Sequence, residues 1–579
     1  MKKIDLEKKS LEIQKIISRY TKESFVCFFA DFIRHHPERS NIGFSKKFKS
    51  KLKDSLYLIM LRLSTPLAGK EELHYSEKND LVLQQVADIL LEIVSFYLSK
   101  NYEGNEFDEI SDKRQKLLVH ELAFKNYFQN GILNYREQEV NKVIRMFKPY
   151  QDKIQERLEI DLKTLINLCN HSELIYRAKS INSKSFILDK GFDKLARQSA
   201  NGLLAENEFT DKLLELSNET QESFLNFFEK PHQCLLFAKQ DFHLSFEEKH
   251  IDIFCGLFSI DIKDNHSNLF YSQQNPLENK PIIRISDNQY LNVYQKQLPS
   301  ALYDLLYTTL TQTKKEKEQV NFRRGKVVLE SHTLDIFKKF FKKSKRIKIF
   351  TNYYINNEPE EKDILILVDN NAYIIECKAS RYREPRRVTE QAYQRIKSDF
   401  NDCIQKGYDQ CYQVEQELLN NEKVIVSLKN KSEVIITNEI HEIFCIVVTS
   451  ERFASIQTDL GLMLKRKNNE DPYPWSIYVD DLETFLKVLY NSFSNPSRKI
   501  FNFLEHRELL HGRLITNDEL DVCAMFLKDP KNFKEICESE YVVFTDPTLQ
   551  NYFDKLYFDK KLKFRIDVTG KQICKVFGN

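Results

Sequence analysis

The sequence predicts an α/β core, a mixed sheet flanked by helices, preceded by a large all-helical N-terminal region. Three observations carry that reading. Thirteen glycines and fourteen prolines in 579 residues are under half the usual share, so tight turns are few and long helices dominate. From residue 6 to about 180 apolar residues recur at helical spacing, as in Leu162, Leu165, Ile166 and Cys169 behind a cap at Asp161. After about residue 311, β-rich runs alternate with helical ones, the pattern of an α/β or α+β domain.

Along the chain, residues 1–200 read as helices, with 81–98 and 117–128 among them, and no catalytic set converges there. His35 and His36, beside Pro37 and Glu38, read as a solvated loop, since a metal site needs further ligands at fixed spacing. Residues 201–313 read as short helices, in which 246–258 either opens a degenerate winged helix or belongs to a helical linker. Two β-rich runs, 281–285 and 290–294, flank turn residues as a hairpin, and Pro299 opens another helix. In the segment 314–490, an amphipathic helix around 327–341 precedes strands at 363–368, 372–378, 423–428, 434–437, 443–449 and 475–479. Asp480 and Glu483 form a capping-box pattern opening a helix over 482–490. Residues 491–579 read as helices followed by a terminal β segment, 563–568 and 572–577, and hold no chemistry.

A composition of 41% hydrophobic and 30% charged residues excludes disordered, collagenous and disulfide-scaffold classes. Lys+Arg at 87 against Asp+Glu at 85 nearly cancel, so affinity for nucleic acid must come from local clustering. Eleven cysteines, an odd number without a CxxC pair, argue against a disulfide framework or thiolate zinc site and for a reducing compartment. The N-terminus lacks a signal peptide's apolar stretch, and the best apolar run, 25–33, is broken by Asp31. A cytoplasmic protein without a membrane partner is the expectation. Forty-two Phe against one Trp, with abundant Lys, Asn and Ile, looks like AT-rich coding and suggests a bacterial source.

Charge does cluster locally. Residues 314–348 hold thirteen basic side chains against four acidic ones, Arg323 and Arg324 among them, although a solvated lysine face accounts for part of the excess. Residues 378–397 hold seven basic and two acidic side chains, with Arg381, Arg383, Arg386 and Arg387 interleaved with Tyr382 and Tyr393. Cations of this kind are what phosphate-backbone binding requires.

The chemistry concentrates between Asp363 and Lys378. Two apolar runs flank Asp369-Asn370-Asn371, residues that tolerate the positive φ of a tight hairpin. An even loop centred between Asn370 and Asn371 puts Asp363 opposite Lys378, and Glu376, two positions away, shares their face. An odd loop would put Asp363 on the other face. Two carboxylates and an ammonium at the end of an apolar hairpin are costly to bury without a task or a partner. They suit metal-assisted phosphodiester hydrolysis: carboxylate oxygens are hard ligands for Mg²⁺, and a lysine can orient water or offset phosphoryl charge.

This Asp-x12-Glu-x-Lys pattern resembles the PD-(D/E)XK nuclease superfamily, the restriction-endonuclease-like fold, in its diverged branches near the NERD and Mrr-type domains. Lys362 stands where the family name has Pro, Cys377 fills the variable apolar position, and the resemblance covers residues 315–490. It implies a restriction-endonuclease-like core and a metal set of Asp363, Glu376 and Glu330, the last from the helix before the first core strand. Lys378 joins the catalytic set, with a glutamine from the helix after the Glu-x-Lys strand: Gln391, Gln394 or, preferred, Gln410. The implied cofactor is Mg²⁺, with Mn²⁺ as alternative, and the nucleic-acid-binding residues are Arg323, Arg324, Arg381, Arg383, Arg386 and Arg387. The expected activity is cleavage of DNA rather than RNA, and analogy alone adds restriction-like or antiphage defence. The helical N-terminal region would then recognise a partner, a trigger, the substrate or a second copy. The alternative is an inactive nuclease-fold subunit that binds nucleic acid within a larger assembly, against which the retention of Asp363, Glu376 and Lys378 weighs. An NTP-driven translocase is disfavoured because Gly69-Lys70 lacks a P-loop. Zinc peptidase chemistry fails because His120-Glu121 and His441-Glu442 lack the second histidine.

Overall fold

The computed structural model describes residues 5–35, 43–99, 134–356, 358–380, 389–429, 431–516, 518–546 and 548–566. The described residues through Tyr97 and from 134 to Gln312 make one unit, and those from Thr313 onward make another.

Helices Leu6–Ile17, Lys22–His35, Lys51–Leu63, Glu77–Ser99, Arg136–Phe147 and Leu162–Ser183 lead the first unit, and its described residues up to 200 contain no strand. Asp161 accepts the Thr164 N–H at 2.9 Å, satisfying a donor that the first helical turn leaves open, and Leu162, Leu165, Ile166 and Cys169 are buried as their spacing predicts. The expected helix at 117–128 lies outside the described residues. His35 is not in a solvated loop. It ends a helix and is buried, its Nδ1 2.7 Å from Asp31 Oδ1 one turn back, while Tyr75 donates to the other carboxylate oxygen. His36, Pro37 and Glu38 fall outside the described residues. Helix Glu248–Phe258 runs directly into strand Ser259–Asp261, which pairs in parallel with Ile282–Ser286. The latter forms the expected hairpin with Gln289–Asn292 within a four-stranded sheet. The next helix, Gln297–Leu310, starts two residues before Pro299.

The second unit is built on a seven-stranded sheet. Its strands are β1 (Ile347–Ile355), β2 (Lys362–Val368), β3 (Asn371–Lys378), β4 (Lys423–Leu428), β5 (Lys431–Ile436), β6 (Glu442–Thr449) and β7 (Trp475–Tyr478). Their spatial order is β7-β6-β3-β2-β1-β4-β5, with β3–β6 and β6–β7 parallel and the other neighbours antiparallel. Helices α1 (Lys314–Phe322) and α2 (Glu330–Phe340), joined by a π-helical stretch Arg323–Leu329, precede the sheet. Helices α3 (Thr389–Phe400) and α4 (Lys406–Asn420) cross from β3 to β4, and α5 (Val479–Ser492) follows β7. On one face Cys411, Val414 and Leu418 of α4 pack with Leu365, Ile374 and Val447. On the other, Phe341 at the end of α2 lies 5.3 Å from the Tyr373 ring. Coverage of both faces explains why β3 is a continuous apolar run rather than an alternating one.

The β2–β3 turn is the two-residue Asp369-Asn370, with φ of 51° and 66°, the paired positive values a type I′ turn demands. Val368 pairs with Asn371 and Ile364 with Ile375. The turn centre is therefore one residue earlier than the sequence reading, and Asp363 lies level with Glu376 rather than Lys378. The loop stays even, so the shared face is preserved. Strand β1 is absent from the sequence reading. Lys345, Arg346 and Lys348 prolong the basic run, and Asn352, at φ 51°, interrupts the alternation so that Phe350 and Tyr353 enter the same core.

Asp480 and Glu483 make no capping box: α5 begins at Val479, with Tyr478 as the residue before it, so Asp480 already lies in the first turn. Beyond α5 come helices Pro496–Arg507, Glu519–Lys528, Pro530–Glu538 and Asn551–Phe558, and Leu514–Ile515 pairs in parallel with Val543–Phe544. Arg507 donates twice to Glu519 in a buried bidentate pair that also takes the Trp475 indole N–H at 2.8 Å. Residues 563–566 are not a strand, and the rest of the expected terminal β segment lies outside the described residues. No described helix is long and apolar enough to cross a membrane. The ten cysteines among the described residues are free thiols.

Candidate active site

The end of the β2–β3 hairpin gathers the polar side chains. Asp363 Oδ2 accepts the Cys377 N–H at 2.8 Å, and the Asp363 N–H points at Glu376 Oε1 at 3.3 Å. Lys378 Nζ donates to Glu376 Oε2 at 2.6 Å and lies 3.7 Å from Asp363 Oδ2. Glu376 is only 1% exposed. Burial pushes its carboxyl up to about 7, with Lys378 opposing and Asp363 adding to the rise. Burial works against the charge of Lys378, but Glu376 and Asp363 outweigh it and hold the ammonium above its ordinary value.

Glu330 arrives from the start of α2. Burial and then the charge of Asp363 push its carboxyl up to about 7, while Lys326 Nζ, 3.2 Å away, counters them. Lys326 also donates to Glu361 at 2.5 Å, an acid that sequence reasoning passes over because it lies in the loop before β2. The π-helical stretch before Glu330 lies against the end of β3. Arg324 donates to the Ala379 carbonyl at 2.6 Å, and a Cβ on Gly325 would stand 3.3 Å from that of Ala379. Arg324 is thus engaged in anchoring the helix to the end of β3, and Arg323 beside it is half-buried.

The structure therefore brings Asp363, Glu376 and Lys378 together and places Glu330 within electrostatic reach. Gln410 sits on α4 one turn after Gly407, which packs on Lys378, and its Nε2 donates to Glu360 Oε1 at 2.7 Å, while Glu360 in turn pairs with the buried Lys362. Gln394 is exposed on α3, and the Gln391 side chain lies outside the described residues, as do Arg381, Arg383, Arg386 and Arg387. Tyr353 escapes the sequence reading along with its strand. It is fully buried, its hydroxyl finds no hydrogen-bond partner among the described residues, and burial followed by the charges of Glu376 and Asp363 raises its pKa.

Asp363, Glu376 and Glu330 offer only hard oxygen donors, and the repulsion of Asp363 with each glutamate in a buried setting is what a bound Mg²⁺ would relieve. Their donor type, carboxylate oxygen, is the kind that a hard divalent cation takes. The three acids are more open than 4.8 Å as a set, a spacing that His332, Asp480 and Glu483 alone achieve among the described residues. No protein-family model, curated protein or solved structure matches this chain.

Proposed function

We propose that the second unit is a metal-dependent nuclease domain that hydrolyses phosphodiester bonds, with DNA as the favoured substrate. The observation that carries the reading is the convergence of Asp363, Glu376 and Lys378 on one face of the hairpin end, with Glu330 coupled to Asp363. The order of elements supports it: a helix before the first core strand, the hairpin, a helix after the Glu-x-Lys strand, and a mixed sheet flanked by helices agree with a restriction-endonuclease-like core.

Asp363, Glu376 and Glu330 would hold Mg²⁺, with Mn²⁺ as a substitute, and the bound ion would act as Lewis acid and acidify a water. Glu376, buried beneath α4, keeps a carboxylate out of bulk solvent, where its field is less screened. Lys378 is held charged by both acids, so its ammonium can orient the attacking water or offset charge on the phosphoryl oxygens without titrating near neutral pH. Arg324 and Gly325 fix α2, and with it Glu330, against the end of β3. A place in restriction-like or antiphage defence rests on analogy and belongs to the same proposal.

The test is cleavage of circular DNA, linear DNA and RNA in Mg²⁺ or Mn²⁺ against EDTA. Divalent-dependent cleavage of DNA is expected. Retention of DNA without cleavage under every condition would favour a binding subunit that uses an inactive nuclease fold.

A further inference from the structure

Away from the nuclease acids, α2 and α5 face each other through three ionisable side chains. His332 Nε2 lies 3.9 Å from Asp480 Oδ1 and 3.9 Å from Glu483 Oε2, and one ligand atom from each residue lies within 4.8 Å of the others. The side chains are 10%, 2% and 19% exposed respectively. A separation of 3.9 Å is too long for a hydrogen bond. It is still shorter than about 4.2 Å, the span of two metal–ligand bonds of roughly 2.1 Å each.

The remaining oxygens are held from behind. Tyr478 donates to Asp480 Oδ2 at 2.6 Å, and Lys487 Nζ lies 3.8 Å from Glu483 Oε1 while sitting over the Phe564 ring. Such partners aim the other oxygen of each carboxylate toward His332, as outer groups orient ligands at metal sites. The Arg452 guanidinium stacks on the Tyr478 ring and is committed to Asp481 through a 2.9 Å bond from Nε. Two acids and an imidazole thus come together where α2 meets α5.

We propose that His332, Asp480 and Glu483 form a second cation site that takes a borderline first-row divalent ion, with Zn²⁺ as its representative. One nitrogen and two oxygen donors suit Zn²⁺, whereas the all-oxygen set of Asp363, Glu376 and Glu330 suits Mg²⁺. Residues two apart on a helix point about 200° apart, so Glu330 and His332 serve different sides of α2. The ion would clamp α2, the helix that delivers Glu330, to α5.

The experiment titrates Zn²⁺ into metal-free full-length protein in excess Mg²⁺, with calorimetry for stoichiometry and the visible spectrum of the Co²⁺-loaded form for nitrogen ligation. Wild type and Asp363→Asn should each bind one Zn²⁺ and gain in melting temperature on binding. His332→Gln should weaken that binding at least about tenfold and alter the Co²⁺ spectrum. Glu483→Gln, at the most exposed of the three positions, gives the same readout if His332→Gln does not fold. Absence of Zn²⁺ binding in wild type, or equal affinity in wild type and the folded variants, would overturn the proposal and leave the three side chains as a buried polar cluster.

Discussion

Asp363 and Glu376 hold each other through the backbone: Asp363 takes the N–H of the residue after Glu376, and the Asp363 N–H points at Glu376 Oε1, 3.3 Å away. Two like charges are thereby fixed side by side on adjacent strands, with Lys378 as their shared cation. That arrangement costs stability unless a cation offsets it.

Asp363→Asn preserves the acceptor for the Cys377 N–H and removes only the charge. Cleavage should fall at least about a hundredfold, the scale of one removed electrostatic group, while the melting temperature in EDTA holds or rises. Calorimetry beside a cleavage time course checks both; full activity would remove Asp363 from the metal set.

Glu376 and Glu330 both have carboxyls raised from 4.5 to about 7, by burial first. A raised folded-state value means the fold binds the proton more tightly than the unfolded chain. Their contribution to stability is therefore complete below about pH 4.5 and is lost as pH rises through about 7. A metal needs the ionised forms, so the melting-temperature gain from Mg²⁺ should be larger at about pH 8 than at about pH 6, and cleavage should decline with it as pH is lowered. Equal gains at both pH values would show that these acids do not hold the ion.

Gly407, near the start of α4, allows the helix to lie on the sheet: a Cβ there would stand 2.7 Å from Val447 Cγ1 and 3.4 Å from Lys378 Cγ. Gly407→Ala should cost about 1–3 kcal/mol through overpacking and lower cleavage by displacing Lys378. Urea unfolding measures the first effect, and an unchanged midpoint would show that α4 can move without penalty.

The hairpin is legible in the sequence because its signals are local. Apolar runs and an Asp-Asn turn specify antiparallel pairing, and the parity of the loop protects the face of Asp363 even when the register is misread. Strand β1 is illegible because Asn352 breaks the alternation and the flanking lysines mimic a helix face. Asp480 and Glu483 carry the spacing of a capping box, and only the helix start at Val479, together with the tertiary position of His332, gives them another role. Gln410 follows the expected helix, but its partner Glu360 lies in a loop whose path no periodicity encodes.

Arg381, Arg383, Arg386 and Arg387 lie outside the described residues, so their role stands on charge alone. Neutralising all four should weaken DNA binding and flatten its dependence on salt by about 0.9 of a log–log unit for each phosphate no longer neutralised by an arginine. Binding titrations across a salt series read the slope directly. An unchanged slope would assign them to a structural or partner-binding face.

In the proposed nuclease Lys378 acts on the transition state, and the most direct measurement of that role is the single-turnover cleavage rate of wild type against Lys378→Met. The substitution keeps the aliphatic stem and removes the ammonium that Glu376 and Asp363 hold. The rate should fall at least about a hundredfold with little change in DNA retention, because many other cations remain. Cells expressing the two forms should differ likewise under phage challenge, which covers a nuclease that is silent until triggered. Identical behaviour of wild type and Lys378→Met, in the tube with every divalent ion and in the challenged cells, would contradict a catalytic role for this lysine and for the acids around it.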